Sequence, residues 1–144
     1  MIRIFALLFT AVLLYSEETS QIQKEIYTQI LTSLFPKKSV IKIWVENPRT
    51  LLVLNSIPFV HIVSKPKNAD VLVIYKNSKI LSPQNCNKIV LCESYKLIKK
   101  EKECITGGFF WHKGRPNIIF LEKNLHKHHL HLPKEMEQFI EDEL

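Results

Sequence analysis

The chain has 144 residues, with 20 basic and 14 acidic side chains and 6 histidines, for a formal charge of +6 at neutral pH. At 46% hydrophobic and 24% charged it has the apolar content of a packed domain, which excludes a disordered chain, and its length leaves little room for two domains. Residues 1–16 read as a secretory signal peptide: Arg3, an apolar run from Ile4 to Tyr15, then Ser16 ahead of Glu17 and Glu18. The run is shorter than the ~20 residues a membrane-crossing helix needs. The expected product is one domain over residues 17–144, exported to the periplasm. There a positive balance points to acidic envelope polymers, anionic lipid or an acidic protein rather than to nucleic acid.

Ser20 and Gln23 form a capping-box pattern ahead of Ile22, Ile26, Ile30, Leu34 and Phe35, which share a helical face until Pro36 stops the run. Val40 to Val45 is rich in β-branched residues, and Asn47 followed by Pro48 predicts a capped short helix over Arg49 to Leu54. Phe59 to Val63, Val71 to Tyr75 and Lys88 to Cys92 read as further strands, the last followed by a short helix that Ser94 caps. Such near-continuous apolar strands belong to parallel sheets covered on both faces. The runs Gly107 to Trp111 and Asn117 to Leu121 flank a tight turn, which only antiparallel strands permit. Two short helices, Glu122 to His129 and one starting at Pro133 with Met136, Phe139 and Ile140 inward, complete the pattern. The expected fold is a single α/β sandwich: a mainly parallel sheet, a C-terminal antiparallel hairpin strand at its edge, and helices on both faces.

Three cysteines cannot all pair within one chain. Cys86 and Cys92 would lie roughly 20 Å apart along one strand, beyond the ~7 Å a disulfide spans between Cα atoms. A β-α-β crossover returns the chain to the strand's starting edge, so Cys104 should come back to Cys86. Cys92 then remains at a strand end beside Glu93 and Ser94. No glycine-flanked elbow surrounds it, and an inert buried thiol is the expected state. His126, His128, His129 and His131 crowd together, and helical i, i+3 spacing brings pairs of them onto shared faces, so they are candidate metal ligands, set against a solvated helix end. The hairpin tip, Trp111, His112, Lys113 and Arg115, is a candidate partner-binding surface with a bidentate guanidinium. No phosphate loop, serine triad or zinc-protease helix is present, and no cofactor is expected.

The stretch GGFFWHKGRPNIIFLEKNLHKHHLHLPKEMEQFI, with Gly107, Gly108, Phe120, Leu130, Leu132 and the segment around Met136 and Phe139, resembles the closing part of the YfiR-like periplasmic family. Ala69 to Tyr75 and Lys88 to Cys92 match core strands of that family. His128 and His129 stand where the family tends to have glycine. The resemblance implies a non-enzymatic periplasmic regulator that binds the outer part of a membrane signalling protein, typically a diguanylate cyclase. An exposed strand edge beside the hairpin is the expected docking surface, for that partner or for a homodimer. The alternative is a periplasmic metal- or small-ligand-binding protein that uses the histidine cluster.

Overall fold

The computed structural model describes the backbone of residues 2–144 and the side chains from Glu18 onward. The chain order is α1 (Ile2–Leu34), β1 (Ile41–Val45), α2 (Pro48–Asn55), β2 (Val60–Ile62), β3 (Val71–Ile74), β4 (Ile89–Cys92), α3 (Tyr95–Lys100), β5 (Gly107–His112), β6 (Arg115–Leu121), α4 (Glu122–Lys127) and β7 (Ile140–Glu141). Short 3-10 turns lie at Pro66–Asn68, Ser78–Ile80, Asn85–Asn87 and Lys134–Phe139. The sheet has seven strands in the order β2-β1-β3-β4-β5-β6-β7. Every neighbouring pair is parallel except β5 with β6. This is the expected mainly parallel α/β sandwich with its antiparallel hairpin near the C-terminus.

Strand alternation feeds two cores. Ile41, Ile43, Val45, Val71, Val73 and Leu91 face one way, onto Tyr27, Ile30, Leu31 and Leu34 of α1, with Leu125 and Met136 in the same cluster. Leu72, Ile74, Val90 and Cys92 face the other way, onto Leu97 and Ile98 of α3 and onto Cys104 and Ile105. Local chemistry sets the helix starts. The Asn47 side chain accepts the Arg49 N–H at 3.0 Å, and Ser94 accepts that of Leu97 at 3.3 Å. Lys113 and Gly114, with φ of 50° and 74°, make the two-residue hairpin turn that matches strand twist. Gly107 and Gly108 permit the closest backbone approach: a Cβ on Gly108 would stand 1.9 Å from the Cys92 carbonyl oxygen.

Three local expectations are corrected. α1 does not start at the Ser20 capping pattern; it runs unbroken through it, because no glycine or proline interrupts the preceding residues and a cap motif alone does not end a helix. The expected cleavage point after Ser16 thus falls within α1, and the side chains of the leader lie outside the described residues. The segment from Pro133 is a 3-10 turn over Lys134–Phe139 rather than an α-helix; it buries Met136 and then delivers Ile140 to the sheet as the start of β7, where a continued helix could not pair. β6 is accordingly not a bare edge. β7 pairs with Phe120 and Leu121, and Pro116 brings no N–H to the remaining length. Among the described residues, no helix is long and apolar enough to cross a membrane.

Candidate functional site

The parallel strands place their carboxyl ends together, where the chain turns from strand to helix. β1 leads through α2 to β2 on one side, while β3 leads to β4 on the other, so the strand order reverses between β1 and β3. In open α/β sheets that reversal opens a crevice for ligands. Here it is filled from within: the Glu46 carboxylate accepts the backbone N–H groups of Tyr75, Lys76 (3.0 Å) and Asn77 (2.8 Å).

A groove of about 1090 Å³ opens beside this plug, between the Thr19–Lys24 stretch of α1, α2 and β5. Its inner wall carries Glu93, the residue after β4. The Thr50 hydroxyl, on a residue 1% exposed, lies 2.8 Å from each carboxylate oxygen of Glu93, and Gln23 Nε2 donates to the same carboxylate at 3.2 Å. The Tyr27 hydroxyl, also buried, faces this carboxylate without a hydrogen bond of ordinary geometry. Burial pushes the Glu93 pKa above the usual carboxylate range; the donors oppose that and nearby Glu46 adds to it. Burial and the Glu93 charge likewise hold Tyr27 protonated. The ion pairs among the described residues, Lys38 with Asp70 (2.8 Å) and Lys123 with Glu103, both sit at the opposite end of the sheet. Among the described residues none forms an ion pair with Glu93.

The groove is aromatic as well. Tyr75, Phe109, Phe110 and Trp111 line it, Trp111 packing edge-on against Phe109 at 5.6 Å. Leu52 (72% exposed) and Trp111 (41% exposed) also belong to its lining.

The residues singled out from sequence fall in four places. Cys86 and Cys104 form a disulfide, Cα to Cα 5.0 Å, as the crossover argument required. Cys92 is fully buried, its thiol pushed up to about 12 mainly by burial, which leaves no thiolate nucleophile near neutral pH. Trp111 lines the groove, while His112, Lys113 and Arg115 are exposed on the tip beyond it. His126 lies in the last turn of α4, His128 caps it, His129 turns left-handed at φ 55° and His131 lies past that turn. The left-handed turn breaks the helical spacing. Among the described residues no group of three or more His, Cys, Asp or Glu side chains is placed to hold a metal ion. His128 is half-buried; burial, with Lys127 and His129 beside it, lowers its pKa, and its Nε2 has no partner.

Glu93, Thr50, Gln23 and Glu46 were not foreseen as a group. The one local signal was an acid directly after an apolar strand, at Glu46 and again at Glu93. The partners of Glu93 come from α1 and α2, as many as 70 residues away, and those of Glu46 from the chain after β3, which no spacing reveals.

No family model and no curated protein matches the sequence. Among solved structures, the crystal structure of a conserved domain protein from Vibrio cholerae O1 biovar El Tor is similar, with a TM-score of 0.51 and 7% identity. The match covers 81% of this chain and 58% of that one. At that identity the likeness concerns the fold alone, and the chain spans little more than half the length of its structural neighbour.

Proposed function

We propose that this protein is an exported, periplasmic binding and regulatory domain without enzymatic activity, which docks on the outer part of a membrane signalling protein. The observation that carries the reading is the groove at the strand carboxyl ends, with Leu52 and Trp111 exposed in its lining. Two large apolar side chains exposed beside one groove offer a partner the kind of surface that docking buries. The Cys86–Cys104 bond supports residence in an oxidising compartment, and the signal-peptide pattern of residues 1–16 supports export. The raised Cys92 pKa speaks against thiol catalysis. The YfiR-like pattern of the carboxyl half makes a diguanylate cyclase the partner of choice. Regulation would follow from unequal affinity for two conformations of that partner.

The test is affinity capture from envelope extract with the wild-type domain, Leu52→Asp and Trp111→Ala. Recovery of one membrane signalling protein by the wild type, with at least tenfold less on either variant, is the expected result. Equal recovery on all three, or none on any, would reject the groove as the docking surface.

A further inference from the structure

We infer that the groove is built to receive a lysine or arginine side chain, presented on an extended segment of the partner, with its cation against Glu93. The inference deepens the docking reading and rests on it. Four observations lead to it. Glu93 is taken partly out of water, its partners Thr50 and Gln23 are neutral donors, and among the described residues no ion pair involves it. Desolvating a carboxylate is costly, and an arriving cation offsets that cost at the moment of binding.

The lining also suits an organic cation, since the exposed ring of Trp111 belongs to the same groove, and aromatic rings attract guanidinium and ammonium groups. Leu52 and Trp111 offer apolar surface for residues flanking the cation on an extended segment, and the groove of about 1090 Å³ has room for them. Finally, Lys24 from α1 and Arg49 from α2 line the groove too. They repel every arriving positive charge, the first included, so a polybasic run is disfavoured more than a lone cation.

Binding is pH-dependent with a defined sign. The titratable groups around Glu93 are Tyr27 on α1, Glu46 after β1 and Cys92 on β4, with Lys24 and Arg49 on the groove walls. Tyr27 and Cys92 stay neutral, so Glu93 is the acid whose ionisation an arriving cation reads. A cation selects ionised Glu93; affinity falls as pH drops through the raised Glu93 pKa, and binding in that range releases a proton.

The experiment is calorimetric titration with two pentapeptides, Ac-Leu-Ala-Arg-Ala-Leu-NH2 and the same peptide with citrulline, the uncharged isostere of arginine. At pH 7 the arginine peptide should bind at least tenfold tighter to the wild type. In Glu93→Gln, which keeps an amide for Thr50 and Gln23, that preference should vanish while circular dichroism stays unchanged. Equal affinity for both peptides, an undiminished preference in Glu93→Gln, or no binding of either peptide would overturn the inference. So would arginine amide alone binding as tightly as the pentapeptide. If Glu93→Gln still captures the envelope partner while Trp111→Ala does not, the docking reading stands and the cation is rejected; if neither variant loses capture, the docking reading itself fails.

Discussion

The two faces of the sheet are held by different means. One is covered by α1, α2, α4 and the Lys134–Phe139 turn, and its core is built around large side chains such as Tyr27, Phe109 and Phe120. The other has the six-residue α3, the short 3-10 turns and the loop that follows α3. There the Cys86–Cys104 bond ties the turn before β4 to the loop before β5. Where helix cover is thin, a covalent link does the work that apolar area does opposite. The groove lies on the richly covered side, where a long helix and a hairpin stand far enough apart to leave space between them.

Three measurements bear on this contrast. The largest effect is expected from Phe109→Ala, which empties the α1 face beneath Tyr27, its ring 5.8 Å away; urea unfolding should show a loss of ~3–5 kcal/mol. Replacing both Cys86 and Cys104 by serine should cost about 3 kcal/mol on the chain-entropy model, with the same loss on adding reductant to the wild type. If reduction costs nothing, the α3 face needs no staple and the contrast fails.

The smallest effect is expected from Glu93→Gln, and its sign is the point. Because burial raises the Glu93 pKa in the folded state, the folded protein binds more protons than the unfolded chain between the ordinary carboxylate pKa and the raised one. The wild type therefore loses stability as pH rises through that window. The variant should be level with it near pH 4 and more stable at pH 7, seen as a flatter dependence of melting temperature on pH. A wild type that instead gains stability from Glu93 as pH rises would mean that the hydrogen bonds to this carboxylate outweigh its burial.

Most of the architecture was legible in the residues. Apolar runs such as Val71–Ile74 and Ile89–Cys92 state their burial on both faces, and the tight turn at Lys113 and Gly114 dictates an antiparallel hairpin. Even the disulfide followed from crossover geometry. The C-terminal segment misled because helical spacing of Met136, Phe139 and Ile140 does not distinguish an α-helix from a turn that feeds a strand. The histidine run likewise conveyed spacing but not the left-handed turn at His129 that disperses it.

What the sequence determined by itself was the sandwich, since side-chain alternation and turn chemistry act within a few residues of each other. What only the tertiary structure decided was the groove: Glu93 owes its character to Gln23 on α1 and Thr50 on α2, brought to one strand end by long-range packing. The environment of a charge depends on everything that displaces water from it, and that is a property of the folded chain rather than of any stretch within it.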